Sequence, residues 1–133
     1  MQSFTYVTGR GRYRIYCRVF VTAEGLIALL MGGTRPHVGA VALSLPRPSL
    51  KGAGTSATTS VLTCLGHKDD ELARPAAAKL AAALNSPVVV VAGVHIDRAA
   101  PEELVRLEAN VTRAVEGIIK VLGRQSRSRG PLR

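Results

Sequence analysis

The sequence predicts an α+β domain: a five-stranded mixed sheet, a β-meander followed by a βαβ crossover, with two helices packed on one face. Three observations carry this. Between Arg12 and Val21 the pattern alternates, with Arg12, Arg14, Tyr16 and Arg18 opposite an apolar face, the period of a half-buried strand. Further short apolar runs end at Gly or Pro punctuation, as buried strands do. Two later stretches, 70–84 and 101–122, repeat their apolar residues at the helical period instead. At 133 residues the chain has the length of one domain with its own core.

Taken in order, residues 1–9 show no assignable pattern apart from Gly9 and Gly11 flanking Arg10. The first strand, 12–21, puts Tyr13, Ile15, Cys17, Val19 and Val21 on one face. Ala23-Glu24-Gly25 turns the chain into a second strand, 26–32, whose unbroken apolar run suits a sheet centre, and Gly32-Gly33 ends it. After Pro36 a third strand, 37–45, begins at His37, and Gly39 keeps its first part thin. The aperiodic segment 46–54 is a loop, and 58–65 is a fourth strand. The first helix, 70–84, meets Pro75, which calls for a late start or a kink. Val88 to Val94 is a buried fifth strand, and Pro101 starts an amphipathic helix closed by Gly123. Residues 1–123 thus form one domain, and 124–133 read as a basic disordered tail. Two helices cover only one face of such a sheet, so a homo-oligomer is expected.

Cys17 and Cys64 are far apart and lack Cys-x-x-Cys spacing, so both are read as small core residues rather than a disulfide, zinc or redox pair. The net charge of +9 sits at the ends: residues 19–123 carry ten Lys or Arg against nine Asp or Glu. A nucleic-acid partner is therefore disfavoured. Apolar runs are too short to span a membrane and no secretory signal is visible, which places the protein in the cytoplasm.

The chemistry concentrates in Leu65-Gly66-His67-Lys68-Asp69-Asp70-Glu71-Leu72-Ala73, where a strand passes through glycine into a helix start. Phosphate would use the helix N–H groups and Lys68, whereas a divalent metal would prefer His67 with Asp69 or Asp70. The plain alternative is a capped helix with acids set against its dipole. The predicted topology brings His37, His67 and His95 to the same end of the sheet, with Asp97 close to His95 in sequence and Arg35 nearby. No His-Glu-x-x-His, Gly-x-Ser-x-Gly or Walker-type motif is present.

Five blocks then stand in a familiar order: Gly32-Gly33-Thr34-Arg35-Pro36-His37-Val38-Gly39-Ala40-Val41, Pro46-Arg47-Pro48-Ser49-Leu50, Ser56-Ala57-Thr58-Thr59-Ser60-Val61, Gly66-His67-Lys68-Asp69-Asp70 and Ala92-Gly93-Val94-His95-Ile96-Asp97. Over about residues 11–122 the chain resembles the prenylated-flavin chaperone family, relatives of the small D subunit of bacterial gallate decarboxylase. The resemblance implies a non-catalytic carrier that binds prenylated FMN, or FMN, and helps load it into a UbiD-type decarboxylase, with a flavin prenyltransferase as a second partner. It supplies no map of ligand contacts, so the site is drawn from the residues themselves. Arg35, Arg47 and Lys68 would serve the phosphate; Gly39, Ala40 and Ala42 would leave room for the ring; His37, His67 and His95 would face the ligand. A divalent metal on His67, Asp69, Asp70 and Asp97 is the companion expectation. The rival readings are a metal-dependent enzyme using the His37/His67/His95 and Asp69/Asp70/Asp97 cluster, a basic nucleic-acid binder, and a scaffold without a ligand.

Overall fold

The computed structural model describes residues 1–64 and 68–128. The sheet has six strands, one more than the sequence pattern predicts: β1 (Gln2–Thr8), β2 (Ile15–Val21), β3 (Leu26–Gly33), β4 (Ala40–Pro48), β5 (Thr55–Thr63) and β6 (Val88–His95). Helix α1 (Asp70–Leu84) lies between β5 and β6, and α2 (Pro101–Ser128) follows β6. The additional strand is β1, in the segment read as patternless. Its Phe4, Tyr6 and Thr8 face inward while Ser3, Thr5 and Val7 face out, and β-branched and aromatic side chains suit that pleat.

The strand order is β1-β2-β3-β6-β4-β5. The expected four-strand meander is therefore interrupted. β6 enters between β3 and β4, pairing parallel with β3 and antiparallel with β4. Because β4 is also antiparallel to β5, the crossover through α1 joins two parallel strands, as predicted, with β4 between them. Central placement follows from composition: Val88, Val90 and Ala92 are fully buried on one face, and Val89 and Val91 lie half-buried on the other.

Both helices cover the same face, as expected. Helix α1 packs on β4, β5 and β6, and α2 packs on β1, β2 and α1. Ile15, Cys17, Val19, Leu30, Leu80 and Ile118 are among the buried side chains between these layers. Burial pushes the Cys17 thiol up to about 12, since desolvation disfavours the thiolate. Cys64, by contrast, is exposed at the end of β5 rather than in the core.

Three boundaries differ from the sequence pattern. β4 and β5 continue through Pro46 and Pro48, leaving a hairpin tip at 49–54. Pairing with β6 stops at Ser44, so the prolines occupy a stretch of β4 with only one neighbouring strand, where a missing N–H is tolerated. Helix α1 begins at Asp70 and continues past Pro75 instead of starting late. Helix α2 runs through Gly123 to Ser128, into the segment expected to be disordered. Arg124 falls near its C-terminal end, where a cation complements the helix dipole. No helix among the described residues is long and apolar enough to cross a membrane.

Leu80 is 1% exposed and Leu50, on the hairpin tip, 88%. Leu80→Ala should cost about 2–5 kcal/mol in urea unfolding, and Leu50→Ala should stay within about 0.5 kcal/mol of the parent. Equal costs would contradict the layer arrangement.

Candidate functional site

The chain ends that meet at one end of the sheet are tied by the carboxylate of Asp69, the residue immediately before α1. Asp69 is 4% exposed. Its Oδ1 accepts a hydrogen bond from the Val94 N–H at 2.9 Å, which holds the end of β6. Its Oδ2 lies 2.8 Å from His37 Nε2, which holds the loop between β3 and β4. Its backbone oxygen accepts from Leu72 and Ala73 N–H, which starts the helix. Two glycines make this close approach possible. A Cβ on Gly39 would overlap the Asp69 carboxylate, and one on Gly93 would overlap the His37 carbonyl oxygen.

His37 is held from both sides, because its Nδ1 lies 3.0 Å from the Arg35 carbonyl oxygen. A carbonyl only accepts, so Nδ1 carries a proton and donates it, and Nε2 is the nitrogen turned toward Asp69. The His95 ring stands edge-on to His37, centroids 6.1 Å apart, and its Nε2 lies 2.9 Å from Asp97 Oδ1. The His95 backbone oxygen accepts from Thr34 and Arg35 N–H. Two histidine–aspartate pairs thus occupy the same end of the sheet.

Beside them a cleft of about 330 Å³ opens between the start of α1, the end of β6 and the first turns of α2. Leu72, Val94, Ile96, Leu104 and Leu107 give it an apolar wall, and Lys68, Asp69, Glu71, His95 and Glu108 supply polar groups. It is at the small end of the roughly 300–1,000 Å³ usual for ligand pockets. An apolar wall with few polar groups fits a flat ring system. The acids of this wall do not fit a phosphate, for which Lys68 is the cation among the lining residues.

The residues named from the sequence are distributed unevenly around this cleft. His37, His95 and Arg35 meet at the sheet end, Lys68 lines the cleft, and Asp97 is paired with His95. Arg47 does not join them. It lies seven residues along β4 from Ala40, roughly 23 Å at strand rise, with its side chain on Thr58 Oγ1 and the Pro48 oxygen. The space expected above Gly39, Ala40 and Ala42 is filled: Asp69 packs on Gly39, and Ala40 and Ala42 are buried in the core. His67 lies outside the described residues. Asp70 opens α1. Among the described residues no group of three or more His, Cys, Asp or Glu is placed to hold a metal ion; Asp69 spends both carboxylate oxygens on protein partners, and Asp97 its Oδ1. The metal expectation finds no support among the described residues. The apolar wall from α2 is a contribution sequence reasoning missed, because Leu104 and Leu107 read there as ordinary core positions.

Removing the Asp69 side chain would leave the Val94 N–H and His37 Nε2 without their carboxylate. Asp69→Ala should therefore cost about 1–3 kcal/mol, with Asp69→Asn less damaging because an amide oxygen still accepts from Val94. Thermal unfolding of the two variants checks this, and an unchanged melting temperature in Asp69→Ala would remove the carboxylate from its structural role.

Comparison with known proteins bears on this site. No curated protein matches the chain. Among solved structures the fold is similar to the crystal structure of a novel chaperone complex for yeast 20S proteasome assembly, with a TM-score of 0.58 over 92% of this chain and 95% of that one. At 14% identity this is a likeness of fold alone. The family model of the prenylated flavin chaperone LpdD-like domain matches residues 9–123, which takes in every strand from β2 onward, α1, and α2 as far as Gly123. The chain belongs to the prenylated flavin chaperone LpdD-like family.

Proposed function

We propose that the protein is a non-catalytic carrier that binds prenylated FMN at the cleft between α1, α2 and the end of β6. In this reading it receives the cofactor from a flavin prenyltransferase and hands it to a UbiD-type aromatic acid decarboxylase. The observation that carries the reading is an apolar-walled cleft set against the His37–Asp69 and His95–Asp97 pairs within a chain of this family. Leu72, Ile96, Leu104 and Leu107 would hold the ring system, and Lys68 with Arg35 would serve the phosphate. His37, through Asp69, and His95 itself would position the rim of the cleft.

We also propose that the protein is a homo-oligomer, joined through the sheet face that neither helix covers. Phe20, Ile27, Val89 and Leu43 lie side by side across four strands, and Leu29, Val91, Val41 and Leu62 form the adjacent row. Leu43 and Leu62 are 44% and 77% exposed. Arg18 on β2 folds over the Phe20 ring and bonds to Ser3 and Thr5, which turns it toward the β1 edge, and Arg47, on the same face of β4 as Val41 and Leu43, bonds to Thr58 near the hairpin end. The apolar middle of this face would meet a second copy of itself as in sheet-on-sheet packing, with Arg18 and Arg47 at its margins.

Protein co-produced with a flavin prenyltransferase should retain a flavin chromophore through purification. Leu104→Asp should reduce that retention at unchanged melting temperature, since Leu104 is half-exposed on the cleft wall. Failure to retain any flavin, oxidised or reduced, would refute the carrier reading. Light scattering at micromolar concentration should give a mass above the monomer, and Leu43→Glu should lower it to the monomer. A monomeric parent would refute the interface.

A further inference from the structure

A second cleft, of about 460 Å³, lies on the other flank of α2, where the connection from β1 to β2 packs against the middle of the helix. Its lining is Gly9, Arg10, Tyr13, Arg106, Asn110 and Arg113. Three guanidinium groups and no carboxylate therefore share one concavity. Glu103, the acid one turn before Arg106, is committed elsewhere. It pairs with Arg12 at 3.2 Å and accepts from the Tyr13 hydroxyl and the Ala100 N–H. The Ala100 N–H, then the Tyr13 hydroxyl, hold its carboxyl below the usual value, with the Arg12 and Arg106 charges adding to them. Among the described residues, no carboxylate makes an ion pair with Arg10, Arg106 or Arg113.

These cations are positioned by the protein. Arg106, Asn110 and Arg113 stand at i, i+4 and i+7, one face of the helix. Asn110 is 4% exposed; its Nδ2 donates to the Tyr13 oxygen at 2.7 Å, and its Oδ1 accepts from Arg113. Its backbone oxygen accepts from the Thr8 hydroxyl at 2.8 Å. The turn, the helix and the Arg113 guanidinium are thus joined through one buried amide. The Arg106 guanidinium stacks 5.2 Å over the Tyr13 ring, which fixes it at the cleft wall. Like charges held together repel unless an anion lies between them, and the planar guanidinium fork matches a tetrahedral oxyanion better than an ammonium does.

We propose that this cleft binds a phosphate dianion, either free or as the terminal monoester of an organic ligand. The inference does not rest on the flavin reading, because inorganic phosphate alone tests it. With the full chain at constant ionic strength, titration with millimolar inorganic phosphate should shift the amide resonances of Gly9 and Arg10. Arg106→Gln and Arg10→Gln should each weaken binding about tenfold, the loss of one charge-assisted hydrogen bond. Lys51→Gln, on the exposed hairpin tip, should leave it unchanged. Arg10→Gln alters only the exposed turn, so it reads the site even if the helix variant folds poorly. Competition names the source, and either result supports the site: displacement by FMN but not by riboflavin points to an organic monoester, and no displacement by FMN points to free phosphate. No shift with phosphate, or equal weakening in Lys51→Gln, would overturn the proposal.

Discussion

The arrangement at the functional end of the molecule depends on one buried carboxylate. Asp69 sits between the last residues of β5 and the first turn of α1, and it reaches both the Val94 N–H and His37. A carboxylate taken out of water costs free energy unless donors meet it, so its two oxygens commit two other segments to fixed positions. One is the end of β6 and the other is the loop that leaves β3. Gly39 and Gly93 follow from this commitment, since each is a place where a side chain would occupy the space of the carboxylate or of the loop it holds. The cleft beside Leu104 and Leu107 is what remains open once these segments are drawn together.

The strand order explains why three separate segments need such a tie. β6 inserts between β3 and β4, so the loop joining those two strands must straddle the end of a third. A loop in that position cannot be a tight hairpin. It instead returns its polar groups to β6, with Thr34 and Arg35 N–H on the His95 oxygen and Gly39 N–H on the Ala92 oxygen. His37 falls within this bridge, and so its ring is brought against both Asp69 and His95.

Most of the elements were legible in the sequence, and the pairing was not. Alternation along Ile15–Val21 and the valine run at Val88 identified strands, but periodicity says which faces are buried and not which strand lies next to which. Short connections suggested consecutive neighbours, and the β3–β4 connection was the exception because an inserted strand separates its ends. β1 was legible after all in Phe4, Tyr6 and Thr8, alternating with polar or β-branched neighbours. Of the three histidines expected at one end of the sheet, His37 and His95 do meet there, because the relative strand directions hold although the meander does not, and His67 lies outside the described residues. Gly39 was read as room for a ligand, but a missing side chain shows only that something approaches closely, and here it is Asp69. Arg47 follows the predicted third strand, which starts at His37, so strand direction alone already sends it to the opposite end, where it bonds to Thr58.

The basic charge divides along the same lines. Arg12 and Arg18 are engaged by Glu103 and by Ser3 and Thr5, and so they serve the join between β1, β2 and α2. Arg10, Arg106 and Arg113 have no acid in ion-pair contact among the described residues and share one cleft. A surplus of cations read as a property of the chain ends therefore becomes local once the β1–β2 turn is laid against α2. Arg106 and Arg113, counted with the near-neutral middle of the sequence, are the partners that Arg10 meets there. Net charge along a sequence averages over such placements, and only the packing of the helix on the turn turns three unremarkable arginines into one field.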